Sequence, residues 1–160
     1  MIQSIGGIVY TLSSGQPLFF VMKRRALSGK IERVAPKGKP KINEQAEYTC
    51  VREVSEETGM DINSFTIKTK LSGGVELKNM NFGKGSIDKS ISYFLVYYNG
   101  NPTAVNIADT EGHTGQYKRA TLSEILTLVP YKDLRAVFRE AHNTIQKYID
   151  KQNMINTIAI

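Results

Sequence analysis

The sequence predicts an α/β sandwich, and three observations carry that expectation. Segments 44–58 and 132–150 repeat apolar residues at spacings of three and four, the mark of a helix with one buried face. Short apolar runs with strand composition stand before and between them. Clusters of Gly, Pro, Asn and Ser separate these segments and supply the turns.

Taken in order, residues 2–11 carry Ile5, Ile8, Val9 and Tyr10 around Gly6-Gly7, a first strand with a close backbone approach. Ser13-Ser14-Gly15 turns into Leu18-Phe19-Phe20-Val21-Met22, a buried second strand, and the pair predicts a hairpin. Residues 24–37 read as an irregular polar loop that Ile31 and Val34 pin to the domain. Asn43 is the expected N-cap of the first helix, Ala46, Cys50 and Val54 its core stripe, and Gly59 its stop. Residues 62–71 read as a strand with one wet face, Gly73-Gly74 as a turn, and Leu77 to Lys89 as a loop. Ile91 to Tyr98 has the strongest strand composition, and Thr110 to Ala120 reads as an edge strand. A short helix over Leu122–Val129 ends at Pro130. Leu134, Val137, Phe138, Ala141, Ile145 and Tyr148 then face one side of a closing helix.

The 160 residues suit one domain over 1–151, with 152–160 as a loosely held tail. No apolar run reaches the roughly 18 residues that a membrane span needs. The N-terminus has neither the basic start nor the apolar stretch of a signal peptide. The single cysteine, Cys50, excludes an internal disulfide framework and sits at a packing position. The expected location is the cytoplasm, with no membrane partner. Oligomeric state is not legible.

The net charge is +6, yet the first helix is acidic. Glu53, Glu56 and Glu57 share one helical stripe, where bare like charges weaken the helix. A cation removes that cost, and hard divalent ions prefer carboxylate oxygen. Much of the basic excess precedes the stripe: Lys23, Arg24, Arg25, Lys30, Arg33, Lys37, Lys39 and Lys41. A basic rim beside an acidic metal stripe suits a polyphosphate substrate, and nucleic acid is the other partner class such a rim admits. There is no serine with a flanking His-and-Asp arrangement. His142 in the closing helix reads as a surface or packing residue.

The stripe belongs to a longer pattern: Gly38, five residues, Glu44, seven residues, Arg52-Glu53-Val54, one residue, Glu56-Glu57, one residue, Gly59-Met60. At every constrained position this resembles the box of the Nudix hydrolase superfamily. The resemblance implies an α/β/α sandwich with a mixed central sheet. It also implies magnesium- or manganese-dependent hydrolysis of a phosphoanhydride, with water attacking phosphorus. By position, Glu53 and Glu57 are the implied metal ligands and Glu56 a further ligand or the base that positions water. The Gly38 carbonyl is a possible coordinating group, and Arg52 the holder of the carboxylates, partly through Glu44.

The flanks narrow the substrate. Pro36-Lys37-Gly38 resembles the diadenosine polyphosphate and diphosphoinositol polyphosphate hydrolases. Lys89-Ser-Ile-Ser-Tyr93-Phe-Leu is similar to the asymmetric diadenosine tetraphosphate hydrolases, where a lysine meets phosphate and a tyrosine meets the base. Tyr117-Lys-Arg, Leu122-Ser-Glu and the run Tyr131 to His142 are similar to that family's closing strand and helix. Lys37, Lys39 and Lys89 are thereby candidate phosphate contacts, and Tyr93 and Tyr117 candidate base platforms. The chain departs from that family at His113, where a glutamate is usual and Glu111 is the nearest carboxylate, and at Arg119, where a tryptophan is usual. Dinucleoside polyphosphates are the leading substrate. The rivals are the 5′ end of RNA, nucleoside triphosphates, diphosphoinositol polyphosphates and, from another class, a catalytically silent nucleotide-sensing module.

Overall fold

The computed structural model describes residues 2–26, 28–81, 86–101 and 113–158. Its centre is a mixed seven-stranded sheet built from β1 (Ile2–Ser13), β2 (Gln16–Arg25), β3 (Ile31–Val34), β4 (Lys37–Gly38), β5 (Phe65–Asn81), β6 (Ser86–Tyr98) and β7 (His113–Ala120). The order is β3-β2-β1-β6-β5, with β4 on β1 and β7 on β2. The predicted hairpin of β1 and β2 is present, and β1 also runs parallel to β6. The helices are α1 (Ala46–Thr58), α2 (Leu122–Leu128) and α3 (Lys132–Ile158).

Strand alternation splits the core in two. On one face Ile8, Phe19, Tyr93 and Leu95 pack with Leu134, Val137, Phe138 and Ile145 of α3. On the other, Val9, Phe20, Phe94 and Val96 pack with Cys50 and Val54 of α1. The helices therefore cover opposite faces of the sheet, an α/β/α sandwich as expected. Gly7 sits under α1, where a Cβ would come 2.7 Å from the Val54 side chain. Among the described residues no helix is long and apolar enough to cross a membrane.

Several boundaries differ from the sequence expectation, and each difference traces to a long-range partner. The supposed loop 24–37 is largely sheet, because β3 pairs Met22–Arg25 and β4 pairs Ile5–Gly6. Val34 is buried there, while Ile31 stays 37% exposed. Helix α1 starts at Ala46 with Gln45 as N-cap, not at Asn43; Asn43 instead takes a positive φ of 61°, which Asn tolerates. Gly59 does end α1, in the left-handed conformation. Residues 62–64 form one 3₁₀ turn before β5. Gly73-Gly74 does not turn the chain. β5 runs through it with a register shift, and Gly74 lies so near the Ile91 carbonyl that a Cβ would stand 2.6 Å from that oxygen. Leu77–Asn81 and Ser86–Lys89 are paired strand in place of the expected loop, and 82–85 lie outside the described residues. A capping box of Thr121 and Glu124 opens α2. Helix α3 runs on to Ile158, past the expected 150, and its last eight described residues are exposed.

The shifted stretch of β5 is clamped from the helix layer. Glu140 of α3 accepts hydrogen bonds from the Ser72 amide (2.7 Å), the Ser72 hydroxyl (2.9 Å) and the Gly73 amide (2.8 Å). Substituting Glu140→Ala should cost about 1 kcal/mol of stability, since the site is partly wet. Hydrogen exchange of the Ser72 and Gly73 amides should quicken more than that of the core amides of β6. Unchanged exchange at those two amides would contradict the clamp.

Candidate active site

Arg52 organises the acidic end of α1. It is 9% exposed, and all five guanidinium N–H groups are used. Nε and Nη2 fork onto Glu44 at 2.7 and 2.8 Å. Nη1 donates to Glu53 at 2.7 Å and Glu56 at 3.2 Å, and Nη2 also reaches the Lys39 carbonyl at 3.0 Å. Glu44 lies just outside the helix, where its carboxylate also accepts from the Thr49 hydroxyl and the Lys41 amide. The Arg52 hydrogen bond holds the Glu44 carboxyl down at about 2, and Glu44 in turn keeps Arg52 firmly charged.

The other glutamates are held less completely. Burial raises the Glu53 carboxyl, and the nearby charges of Glu57 and Glu56 add to that against the pull of Arg52. Glu57 Oε2 accepts the backbone amide of Lys37 at 2.9 Å, tying α1 to β4. Glu56 is more open, its side chain 56% exposed. Gly38 lies directly against Glu53; a Cβ at position 38 would overlap that carboxylate. Among the described residues no three acidic, histidine or cysteine side chains converge as a ready metal cage: Arg52 holds Glu53 and Glu56, and the Lys37 amide holds Glu57. The donor set still fits a hard divalent ion. It offers carboxylate oxygens at i, i+3 and i+4 beside a backbone carbonyl, with Glu53 electrostatically undercompensated, and magnesium keeps several waters in such a site.

Two cavities meet here. A polar cleft of about 400 Å³ is lined by Gly38, Lys39, Lys41, Arg52, Glu53, Glu56 and Glu57. A more apolar cavity of about 340 Å³ is lined by Val34, Ala35, Val75, Leu77, Ile91, Tyr93 and Leu134, with Glu32 and Tyr131 among its residues. Arg24, Lys37 and Lys89 line both. Burial pushes the Lys37 amine down to about 7, and the positive charges of Lys89 and Arg24 push it the same way.

The structure thus brings Lys37, Gly38, Lys39, Arg52, Glu53, Glu56, Glu57 and Lys89 together. It does not bring the two tyrosines together. Tyr93 is 2% exposed and packs on the α3 face, its hydroxyl raised above the ordinary phenol by burial and by Glu57. Tyr117 packs toward the α1 face, its ring 5.4 Å from Phe20, so the pair cannot grip one base between them. The backbone of His113 pairs with Arg24, and Glu111 lies outside the described residues. Burial drives the Cys50 thiol up to about 12 and its sulfur faces the Gly6 carbonyl, in keeping with packing. Sequence reasoning missed Glu32 and Tyr131, whose hydroxyl donates to Glu32 at 2.6 Å, and saw Arg24 only as one basic residue among eight in the rim.

The NUDIX domain model matches residues 3–145, and the chain belongs to that family. No curated protein matches it in sequence. Its fold is similar to that of a C. elegans Ap4A hydrolase in a binary complex, with TM-score 0.73 and 20% identity over 92% of this chain and 99% of that one. A NUDIX hydrolase from Listeria monocytogenes superposes with TM-score 0.74 at 14% identity, covering 93% and 97% of the two chains. The NUDIX domain of Shewanella oneidensis NrtR, complexed with ADP ribose, does so with TM-score 0.64 at 14% identity, covering 91% and 88%. At such identities the likeness speaks for the fold.

Glu44→Gln should lower the melting temperature at neutral pH, by weakening the fork on Arg52. A carboxyl depressed in the fold stabilises it above the ordinary value of 4.5, and that contribution fades as pH falls through about 2. The difference in melting temperature between wild type and variant should therefore be full near pH 7 and close progressively below pH 4.5. A gap that widens on acidification would refute the assignment.

Proposed function

We propose that the protein is a metal-dependent pyrophosphohydrolase that cleaves a phosphoanhydride bond by attack of water at phosphorus, with dinucleoside polyphosphates such as diadenosine tetraphosphate as the leading substrate. The coarse part follows from the family: the chain is a NUDIX hydrolase acting on phosphorus-containing anhydrides, enzymes that generally use divalent metal ions. The finer part is supported by one observation, the junction of an acidic cleft and an apolar cavity across a neck of cations. Such a site has a place for a bound cation, a polyanion and an uncharged ring system in sequence.

Glu53 and Glu57, with the Gly38 carbonyl, would hold magnesium or manganese, and Glu56 would be a further ligand or the base that takes the proton of the attacking water. The chemistry a divalent ion supplies there is polarisation of a phosphoryl oxygen and a lowered pKa of bound water. Arg52 is a positioning residue, since its hydrogen bonds orient Glu53 and Glu56. Lys37, Lys39 and Lys89 offset the charge of the phosphate chain. Tyr93 serves as cavity wall, and Tyr117 reaches a base only from the α1 side. The basic lining also supports a second reading, the 5′ end of RNA, whose binding would weaken steeply with salt.

Glu57→Gln should lower turnover by orders of magnitude while the circular dichroism spectrum stays that of the wild type. Magnesium should raise the melting temperature of the wild type and raise that of the variant less, because one of the coordinating carboxylates has gone. Undiminished turnover in the variant would sink the metal assignment. A panel of dinucleoside polyphosphates, nucleoside triphosphates, diphosphoinositol polyphosphates and triphosphorylated RNA, with products weighed by mass spectrometry, separates the substrates. No release from any of them would favour the silent sensing module.

A further inference from the structure

Arg24 has no role in the reading above, yet it stands where both cavities meet. It lies on β2, directly across from Glu32 of β3, and lines the acidic cleft and the apolar cavity alike. Its cross-strand neighbour Glu32 also accepts the Tyr131 hydroxyl, through Oε2 at 2.6 Å. Arg24, Lys37 and Lys89 thus converge at the neck, three basic groups beside the two carboxylates of Glu32 and Glu57. Gathering like charges in this way costs free energy unless an anion sits among them. A guanidinium is suited to such an anion, because its planar fork meets two phosphate oxygens at once.

We propose that Arg24 is a specificity-determining residue, which with Lys37 and Lys89 holds a phosphate group at the neck between the two cavities, apart from the phosphates gathered at the acidic cleft. This rests on the polyphosphate reading of the site and deepens it. A substrate then gains from a phosphate chain long enough to reach from the carboxylates of α1 to the neck before its organic group enters the apolar cavity. A short chain satisfies one end or the other, so Arg24 converts chain length into affinity.

The test reads binding, not turnover. Inorganic tripolyphosphate and pyrophosphate are titrated calorimetrically into the full chain with magnesium present, and again in EDTA as the metal-free control. The wild type should bind tripolyphosphate more tightly than pyrophosphate. Arg24→Ala should weaken tripolyphosphate about tenfold, the scale of one charged hydrogen-bonded contact, and flatten the preference. Arg24→Lys, which keeps the charge and the strand position but loses the fork, should fall between the two; it also carries the test if the alanine variant does not fold. Lys147→Ala, an exposed lysine on α3, should change nothing. Failure of the wild type to bind tripolyphosphate would overturn the proposal. So would equal losses in the Arg24 and Lys147 variants, or undiminished binding in Arg24→Lys and Arg24→Ala. Intact anion binding in a chain that hydrolyses nothing would instead count against the enzymatic reading alone.

Discussion

A single buried guanidinium sets the geometry of the acidic cleft. Arg52 spends its five N–H donors on Glu44, Glu53, Glu56 and the Lys39 carbonyl. Those partners come from two pieces of chain that otherwise share little: the connection between β4 and α1, and the helix itself. Glu44 can reach back because Asn43 takes a positive φ and α1 begins only at Ala46. A lysine at position 52 would offer a point charge and three donors, and the fork on Glu44 would be lost. The spacing of Glu44 from Arg52 is thus a mechanical requirement: one carboxylate outside the helix anchors the cation that orients the carboxylates on it.

Around that hub the site is electrostatically divided. Burial and like neighbours push Glu53 toward its neutral acid and Lys37 toward its neutral amine. Each is shifted in the opposite sense, and Glu57 of α1 ties the two segments together by accepting the Lys37 amide. A divalent cation answers the first imbalance and a phosphate chain the second, so a cation–polyphosphate complex would complement the cleft and neck better than either partner alone. This complementarity also explains how a chain of net charge +6 carries an acidic centre: the excess base lines its rim.

Much of this was readable before any coordinates. The stripe Cys50–Val54, the Gly59 stop, the apolar period of α3 and the runs in β1, β2 and β6 are local patterns, and local patterns record their own period. The Nudix-type spacing placed Arg52 and the four glutamates together for the same reason. The errors fall where pairing is remote. Residues 31–38 look like a polar loop because edge strands need few apolar residues, and their partners in β1 and β2 are up to 33 positions away. Gly73-Gly74 carries turn composition, yet the glycine is there for the close approach of Ile91.

Residue types and spacings were therefore enough to specify the class of fold and the acidic constellation, since the periods and spacings that carry them lie within single helices, strands and short stretches of chain. Folding alone assigned Tyr93 and Tyr117 to opposite faces, set Glu32 against Tyr131 and gathered Arg24, Lys37 and Lys89 into one neck. Those outcomes turn on strand register and on which face a side chain takes, and a shift of one residue would reverse every one of them. Such register is decided by contacts between segments distant in the chain, which no local pattern records.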